Sequence, residues 1–412
     1  METKPLPLEG LRVIDLGWVW SGPMVAYIFA DFGAEVIKLE HSERLDNSRL
    51  RGSPIINGKK VQGESIELGP YYHNVNRNKL SIRLNLKHPK GRELFKELVK
   101  VSDVIIENFT PDALKKLGLG YESLRKVKPD LVMLSLSTAG QEGPISDMRG
   151  YAPVISSYSG LESLVGYEGE LPLGMMTFGL SDPNAANHGF FAAMVALYYR
   201  ERTGEGVYID MSQLEASCAI LAEAMLEYQM NGRIMGPQGN QHRIQSPHGI
   251  YPCNGEDRWV AISIDSDENW RRLVEIMGNP DWAKDPTLQE LNGRLTKRKI
   301  IDRGLGEWTS QLDREEIVRT LQAQGIAAMT VSTVEEQYTD IHLQHRGVRQ
   351  EVIHPLLGRE LLTSVPWNLS ETPGAVRKSA PLLGEHDEYV YCSILGLSSS
   401  DIEKLKGEKI IY

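Results

Sequence analysis

The sequence contains few cysteines and no long apolar segment. Its 412 residues include three cysteines, which lie far apart and without the spacing of metal ligands: Cys218, Cys253 and Cys392. This pattern is typical of reduced thiols, so we expect neither a disulfide scaffold nor a metal site. No apolar run approaches the roughly 20 residues that a membrane-spanning helix needs. The N-terminal segment METKPLPLEG has neither an apolar signal core nor an Arg-rich transit pattern. We therefore expect a cytoplasmic protein without a membrane partner.

Several common enzyme motifs are also missing. The sequence has no Gly-x-Ser-x-Gly elbow, no His-Glu-x-x-His pair and no Walker loop. The Gly-x-Gly-x-x-Gly dinucleotide fingerprint is absent, because the first glycine-containing loop has only Gly17 and Gly22, followed by Pro23, which lacks an N–H. A nicotinamide enzyme is therefore a disfavoured alternative. The net charge of −10 argues against a nucleic-acid partner.

The most informative segment is residues 11–40, in which the apolar spacing changes period twice. This spacing predicts a strand at 13–16, a helix at 24–32 and a second strand at 34–39. A strand, a helix and a strand within about 30 residues form the βαβ unit of a parallel sheet. In open sheets of this kind, ligands bind at the loops that follow the strands. The loop after the first strand carries Trp18 and Trp20, so we expect these rings to pack against a ligand or a neighbouring segment.

Further strands are predicted at 80–86, 103–109 and 131–137, with helices between them. This alternation indicates an α/β fold with a doubly wound parallel sheet. Residues 41–80 have no regular pattern and are predicted to form a long loop. We expect the following domains: a large domain of residues 1–225 and 331–412, and a small domain of residues 226–330.

Two long helices are predicted at 184–203 and 213–232. The first of these helices is rich in small residues, so another helix or chain is expected to lie close against it. Asp182 and Pro183 precede it, and this pair has a structural interpretation as the N-cap and first residue of the helix. The chemical interpretation is that Asp182, ionised at the helix N-terminus, attacks an acyl carbon. From the local sequence alone, both interpretations remain open.

Basic residues cluster between 77 and 92 and between 115 and 128. Most are expected to be solvated, but one or two lysines could bind the phosphate of a small polyanion. His188 lies within the long helix and is more typical of a packed residue than of a catalytic one. His242 and His248 lie in a polar segment that could form either a lid or a surface loop.

Eight motifs along the chain occur in the order of one known family. The first is an N-terminal signature in three parts: Gly10-Leu-Arg-Val-Ile-Asp-Leu, Ser21-Gly22-Pro23 and Ala30-Asp-Phe-Gly-Ala-Glu-Val-Ile-Lys-Leu-Glu40. The other seven are Asn76-Arg-Asn-Lys79, Ile105-Ile-Glu-Asn-Phe109, Leu117-Gly-Leu-Gly120, Gly140-Gln-Glu-Gly-Pro144, Tyr199-Arg-Glu-Arg-Thr-Gly204-Glu-Gly206, Pro247-His-Gly-Ile-Tyr-Pro-Cys253 and Ala380-Pro-Leu-Leu-Gly-Glu-His386. Over nearly its whole length the sequence resembles the class III CoA-transferases, a family that includes formyl-CoA, carnitine and benzylsuccinate CoA-transferases.

The resemblance implies a Rossmann-like large domain made of the N- and C-terminal parts, and a smaller α+β domain. It also implies that each chain forms an open ring that interlocks with a second chain. We therefore expect a homodimer, with a heteromer containing a sister chain as the alternative. CoA is expected to act as a carrier substrate, and no other cofactor is expected.

The family's catalytic aspartate matches Asp182, which implies covalent transfer through aspartyl anhydride and aspartyl-CoA thioester intermediates. The family's CoA contacts fall on these positions: Val19, Trp20, His41, Lys79, Asn108, Phe109, Lys116 and Leu117. His41 stands where arginine is common. The resemblance also gives segment 239–249 a gating role, so a substrate or lid role is expected for these residues: Trp18, Gly239, Gln241 and His248.

Two functions compete with this expectation. Racemases of the same superfamily need a histidine and an acid upstream of the aspartate, but the matching segment here is Arg149-Gly-Tyr-Ala-Pro-Val, which has neither. The other alternative is a non-catalytic subunit that pairs with an active sister chain. Within the family, the first loop and the 76–79 and 247–253 segments look most like members that use succinyl-CoA and bulky or aromatic acids. An apolar acceptor would suit Trp18 and Trp20.

Overall fold

Strands and helices alternate through the first half of the chain. The computed structural model describes residues 4–52, 55–56, 59–60, 66–175 and 179–412. The described strands are β1 (Arg12–Asp15), β2 (Glu35–Glu40), β3 (Ile55–Ile56), β4 (Lys59–Lys60), β5 (Leu80–Arg83), β6 (Val104–Glu107), β7 (Val132–Ser137), β8 (Val207–Ser212), β9 (His248–Pro252), β10 (Trp259–Ser263), β11 (Ala327–Thr330), β12 (Arg349–His354) and β13 (Gly358–Thr363).

The α-helices are short, apart from four helices of 11 residues or more. They are α1 (Ser21–Asp31), α2 (Pro70–Asn76), α3 (Pro89–Lys100), α4 (Ala113–Lys116), α5 (Tyr121–Leu124), α6 (Ala152–Ser159), α7 (Ser181–Thr203), α8 (Gln213–Ala219), α9 (Ala222–Asn231), α10 (Asp267–Ile276), α11 (Leu291–Thr296), α12 (Arg298–Thr309), α13 (Arg314–Ala323), α14 (Glu336–Thr339), α15 (Ile341–His345) and α16 (Ser399–Gly407).

A six-stranded parallel sheet organises the first of two compact units, which comprises Met1–Leu161, Met175–Asn231 and His345–Tyr412. Its strand order is β5-β2-β1-β6-β7-β8, and every neighbouring pair is parallel. Counted within the sheet, this is the 3-2-1-4-5-6 order of the doubly wound Rossmann fold. The predicted α/β class with a parallel sheet is confirmed. The interlocked ring and dimer stay predictions.

Helices cover both faces of this sheet, so its central strands are almost wholly buried. On one face, α1 and α7 pack over residues such as Val13 and Leu134. On the other face, Phe95 and Leu98 of α3 pack with Val390 and Ile402 from the C-terminal segment. The C-terminal segment is also tied to β5 by an ion pair between Arg83 and Asp387, at 2.7 Å. The C-terminal segment therefore belongs to the same compact unit as the N-terminal strands.

The small residues of α7 allow this helix to approach its own sheet closely. Ala185, Ala186 and Ala193 are buried in the core shared with α1. A Cβ added to Gly189 would lie 2.9 Å from Leu136 Cδ1, which is closer than real carbon contacts. The close neighbours predicted for this helix are therefore α1 and β7 of the same chain, while contact with a second chain stays a prediction.

The second unit comprises Glu162–Gly174 and Gly232–Gln344. It contains an antiparallel sheet of order β11-β10-β9, and its separate core includes Trp270, Leu305 and Leu321. These units begin and end at residues other than the expected domain limits, because segment 162–174 joins the second unit and the return to the first comes at His345. The expected domains, 1–225 with 331–412 and 226–330, stay a prediction.

Three elements differ from the sequence expectation. The segment at 41–80, expected to be a loop, contains α2, which begins at Pro70, a residue suited to a first helical turn. The helix expected at 213–232 is two helices, because α8 ends at Ala219 and α9 begins at Ala222. The helix expected from residue 184 begins at Ser181, after Leu180. Within the described residues, no helix is long and apolar enough to cross a membrane.

Candidate active site

The loops that follow β1 and β6 meet at the carboxyl edge of the sheet. The strand order reverses between these two strands, and ligands of doubly wound sheets bind at this point. The backbone N–H of Trp18 donates to Asn108 Oδ1 at 2.7 Å, and Asn108 Nδ2 donates back to the Trp18 carbonyl at 2.8 Å. The Trp18 and Phe109 rings contact each other edge to face, with centroids 5.7 Å apart. These contacts fix the first loop against the loop after β6.

A buried ion pair fixes the loop that follows β1. Lys38 Nζ donates to Asp46 Oδ2 at 2.8 Å, and neither side chain is exposed. Asp46 Oδ1 in turn accepts from the backbone N–H of Val19 at 2.9 Å. Val19 has a φ of 65°, a left-handed conformation that is rare for β-branched residues. The ion pair therefore stabilises a strained loop, as is common at ligand sites.

The first cavity, which we call the Asp182 cavity, has a volume of about 640 Å³ and lies above these loops. The backbone before α6, at Arg149 to Tyr151, forms another part of its wall. The polar groups on this wall come from strand ends and helix starts, since the carboxyl edge of a parallel sheet collects both. The polar and charged residues that line it are Ser21, Asn47, Asn108, Thr110, Ser137, Thr138, Arg149, Tyr151, Asp182 and Gln213.

Asp182 is the second residue of α7, and Leu180 precedes the helix without a side-chain cap. The structural interpretation of Asp182 as the N-cap, with Pro183 first in the helix, is therefore wrong. None of the described residues donates a hydrogen bond to the Asp182 carboxylate. Burial raises its pKa to about 6, although the positive charge of Arg51 opposes this shift. At pH 7 about nine-tenths of such a group is ionised, and its basicity exceeds that of an ordinary aspartate.

Gly179 leaves room beside this carboxylate. A Cβ added there would lie 3.6 Å from Asp182 Oδ2 and 3.5 Å from the Trp20 ring. It would also lie 3.2 Å from Ala152 Cβ, which is a tight contact. Glycine at this position therefore keeps the space between the tryptophan and the carboxylate open.

Two buried polar atoms in the Asp182 cavity lack partners among the described residues: Ser137 Oγ and Gln213 Oε1. Ser137 is the last residue of β7, and Gln213 is the first residue of α8 and lies within 3.3 Å of Ser21 Oγ. A buried polar group without a partner destabilises the fold by roughly 1–3 kcal/mol. Such groups on residues that line a cavity are suited to hydrogen-bonding a polar ligand.

A second cavity of about 400 Å³, which we call the leucine cavity, shares Trp18, Phe109 and Thr110 with the first. Its wall is mostly apolar, with six leucines: Leu16, Leu39, Leu84, Leu86, Leu114 and Leu117. Three cations stand among them, Arg44, Lys87 and Lys116. Arg44 also lies over the Trp18 ring, 5.0 Å from its centroid. An apolar slot with cations at its wall is suited to a heterocyclic base attached to phosphates.

Most of the expected CoA contacts line these two cavities. Val19, Trp20 and Asn108 line the Asp182 cavity, and Phe109 lines both cavities. Trp18, which is expected to have a substrate or lid role, also lines both. The leucine cavity is lined by the others: His41, Lys116 and Leu117. Burial lowers the pKa of His41. Binding of CoA at these positions stays a prediction.

Lys79 is not among the residues that line either cavity. Its Nζ donates to Asp15 Oδ2 at 2.7 Å, to Asn76 Oδ1 at 2.9 Å and to the Pro23 carbonyl at 2.9 Å. These three acceptors use all three donors of the ammonium group, which is fully buried. The expected contact between Lys79 and a phosphate is therefore not supported, because Lys79 is a buried structural cation.

Of the residues expected to have a substrate or lid role, Gly239, Gln241 and His248 belong to the second unit, whereas Trp18 belongs to the first. Gln241 Nε2 donates to Glu168 Oε2 at 3.0 Å, and Gly239 donates its N–H to the Gly166 carbonyl at 2.8 Å. His248 Nδ1 lies 2.6 Å from the Asn240 carbonyl, and its ring lies 5.2 Å from that of His242. The gating role of this segment stays a prediction.

The sequence interpretation missed several lining residues, among them Ser137, Gln213 and Arg44. Ser137 follows the apolar run of β7 and Gln213 follows β8, so the rule that ligands bind beyond strand ends would have found both. Arg44 is separated from its strand by a turn and had no such signal.

The Asp182 cavity combines one carboxylate of raised pKa with neutral polar groups and a single arginine. Its lining, drawn from the described parts of the chain, contains no histidine. The described lining therefore lacks the histidine–aspartate pair that would move a proton at an α-carbon. A carboxylate in a partly desolvated cavity is suited to nucleophilic attack on an acyl carbon.

Comparisons with known proteins identify the family. The model of CoA-transferase family III matches residues 8–387. The sequence is 33% identical over 411 residues to the succinyl-CoA–L-malate CoA-transferase beta subunit of Chloroflexus aurantiacus, covering 99% of each chain. It is 32% identical over 399 residues to the succinate–glutarate CoA-transferase of Agrobacterium fabrum, covering 96% of this chain and 97% of that one. The crystal structure of a CaiB/BaiF family protein from Brucella suis superposes with a TM-score of 0.84 at 28% identity, covering 95% of this chain and all of that one. The protein therefore belongs to CoA-transferase family III, the class III CoA-transferases.

Proposed function

We propose that this protein transfers CoA from succinyl-CoA to a carboxylic acid, with Asp182 as the covalent nucleophile. The observation that carries the proposal is the Asp182 cavity, in which one partly desolvated carboxylate faces a space beside the leucine cavity. The relatives named for L-malate and for glutarate both use succinate or its CoA ester, which supports succinyl-CoA as the donor. Their acids are small dicarboxylic acids, so the acceptor we propose is of this class rather than aromatic.

The reaction would proceed through two covalent intermediates. A carboxylate oxygen of Asp182 attacks the thioester carbon of the donor, the C–S bond breaks, and a mixed anhydride and CoA thiolate form. The thiolate attacks the Asp182 carbonyl, which releases succinate and leaves an aspartyl-CoA thioester. The acceptor carboxylate attacks this thioester, the C–S bond breaks, and a second mixed anhydride and CoA thiolate form. The thiolate then attacks the acceptor carbonyl, which yields the new acyl-CoA and regenerates Asp182. No step requires a net proton transfer.

The two cavities divide the donor between them. The leucine cavity would hold the adenine against apolar side chains, with Arg44, Lys87 and Lys116 near the phosphates. The shared wall at Trp18 and Phe109 would guide the pantetheine arm towards Asp182. Binding energy gained far from the reacting atoms can hold the thiolate near the anhydride, which would otherwise react with water.

We also propose that the protein works as a dimer. One relative is named as the beta subunit of its enzyme, so a mixed dimer with a sister chain is the alternative to a homodimer. Mass measurement of the protein purified from its source without a tag separates the two, since a mixed dimer would contain a second chain in equal amount.

Trapping of the intermediate tests the function. The protein is incubated with succinyl-CoA, treated with hydroxylamine and digested, and the peptide that contains Asp182 is examined by mass spectrometry. We expect a hydroxamate at Asp182 in the wild type and in Asp147→Asn, which changes an exposed aspartate outside the cavity lining. Asp182→Asn should form no adduct and should transfer no CoA. Transfer that persists in Asp182→Asn would contradict the proposal.

A further inference from the structure

Only two charged side chains line the described part of the Asp182 cavity, Asp182 itself and Arg149. Within the described residues, the Arg149 guanidinium has no ion-pair or hydrogen-bond partner. Arg149 is exposed to solvent, whereas Arg49 and Arg77 of the same unit are buried and paired, Arg49 with Glu40 at 2.9 Å and Arg77 with Asp31 at 2.7 Å. Arg149 is therefore a cation at the cavity wall whose five donors remain available to a ligand.

The backbone around Arg149 is closely packed. A Cβ added to Gly150 would lie 2.7 Å from Val154 Cβ, so this residue lies directly against the first turn of α6. Tyr151 immediately precedes that helix. The side chain of Arg149 thus extends from a segment that is held in place by a helix start.

A second arginine reinforces the positive potential. The Arg51 guanidinium lies over the Tyr151 ring, 4.9 Å from its centroid, and its charge acts on Asp182. Its side chain likewise lacks an ion-pair partner in the part of the chain that the structure describes. The cavity lining therefore contains one carboxylate and one guanidinium, and the charge of Arg51 adds to the positive potential at that carboxylate.

This arrangement matches the charge of a particular substrate class. A dicarboxylic acid that is esterified to CoA at one end keeps a carboxylate at the other. Transfer of that carboxylate into a cavity that also contains ionised Asp182 is unfavourable, because the group loses water and meets a like charge. A guanidinium that forms two parallel hydrogen bonds to the carboxylate offsets both effects.

We propose that Arg149 binds the remote carboxylate of a short dicarboxylic acid and of its mono-CoA ester while Asp182 reacts at the other end. This inference rests on the proposed function and adds the group that selects dicarboxylic over monocarboxylic acids. Arg51 assists through its charge. Arg149 is a substrate-binding residue and takes no part in the bond changes.

The test compares succinyl-CoA with butyryl-CoA, which has the same four-carbon chain but no remote carboxylate. The measured quantities are kcat/KM for succinyl-CoA and the inhibition constant of butyryl-CoA as a competitor. In Arg149→Gln we expect kcat/KM for succinyl-CoA to fall by about 100-fold, because a site built for a charged hydrogen-bond partner loses roughly that much when the pair is broken. The inhibition constant of butyryl-CoA should change less than about threefold, since no described contact of Arg149 supports the fold.

Two further variants sharpen the result. Arg149→Lys keeps the charge but loses the planar fork, so its activity should lie between those of the wild type and Arg149→Gln. Arg125→Gln removes an exposed arginine that does not line the cavity and should behave as the wild type.

Any other result of the comparison between succinyl-CoA and butyryl-CoA contradicts the proposed role of Arg149. Equal losses with both CoA esters would mean that Arg149 contacts the CoA portion or supports the fold, and no loss would mean that the carboxylate binds elsewhere. Hydroxylamine trapping of the Asp182 adduct in wild type and in Arg149→Gln separates this failure from that of the proposed function. An adduct without discrimination refutes only the role of Arg149, whereas the absence of any adduct in wild type refutes the covalent mechanism.

Discussion

Asp182→Asn should stabilise the protein while it abolishes transfer. Burial raises the pKa of Asp182 from 3.8 to about 6, and none of the described residues offers its carboxylate a hydrogen bond. At 1.36 kcal/mol for each unit of pKa, the ionised carboxylate destabilises the fold at pH 7.5 by at most about 3 kcal/mol. Asparagine has the same shape and carries no charge, so it removes this penalty. The gain is the stability that the wild type gives up to keep its nucleophile ionised in a partly desolvated cavity.

The sign of the pH dependence distinguishes this explanation from others. The folded state holds the Asp182 proton more tightly than the unfolded state does, so the wild type gains stability as pH falls through 6 towards 3.8. The advantage of Asp182→Asn should therefore shrink from about 3 kcal/mol at pH 7.5 to about 1 kcal/mol at pH 4.5.

Urea unfolding of both proteins at the two pH values measures this difference. Asp147→Asn serves as the control, since that side chain is exposed and should give no gain at either pH. A gain for Asp182→Asn that does not depend on pH, or no gain at pH 7.5, would refute the argument that burial raises the pKa of this carboxyl.

Three further predictions concern the two cavities and the buried Lys79. Lys116→Gln should raise KM for acyl-CoA by roughly three- to fivefold with little change in kcat, because an exposed phosphate contact is worth about 1 kcal/mol. Steady-state kinetics at two salt concentrations measures this change. The control is Lys115→Gln, which alters an exposed neighbour outside the cavity lining and should have no effect. Lys79→Met should lower the unfolding free energy by about 3–5 kcal/mol in a urea titration, because it leaves the buried Asp15 carboxylate without its partner; a raised KM in a protein of unchanged stability would instead support a phosphate contact. Ser137→Ala should leave the melting temperature unchanged or higher, since the buried hydroxyl has no partner in the described structure. The same substitution should lower kcat/KM. A drop in melting temperature would show that the hydroxyl already has a hydrogen-bond partner in the folded protein.

Elements whose cause is local could be predicted from the sequence. The first βαβ unit follows from apolar spacing, and the predicted limits of its elements lie within three residues of the observed limits. The start of α7 near Asp182 followed from an Asp-Pro pair and a change of period. The family motifs then gave Asp182 its chemical role, which local pattern left open.

What could not be predicted depends on contacts between distant segments. Lys79 and Asp15 are 64 positions apart, and no local signal shows that one neutralises the other. Gln213 and Ser21 are 192 positions apart and meet only because α8 and α1 both begin at the same edge of the sheet. The order of the strands, rather than any pattern within them, brings these residues together.

The contrast between Lys79 and Arg149 shows how a cation at a site can be assigned. A motif identifies positions, but the acceptors around a side chain decide whether its charge is available. Lys79 has three acceptors within 2.9 Å and no exposure, so moving its charge to a ligand would leave Asp15 buried and unpaired, at a cost of several kcal/mol. Arg149 belongs to none of the family motifs, yet binding a carboxylate there breaks no described contact. Counting the existing partners of each cation therefore assigns a structural role to Lys79 and a substrate-binding role to Arg149, and comparison of Lys79→Met with Arg149→Gln by stability and by donor selectivity tests that assignment directly.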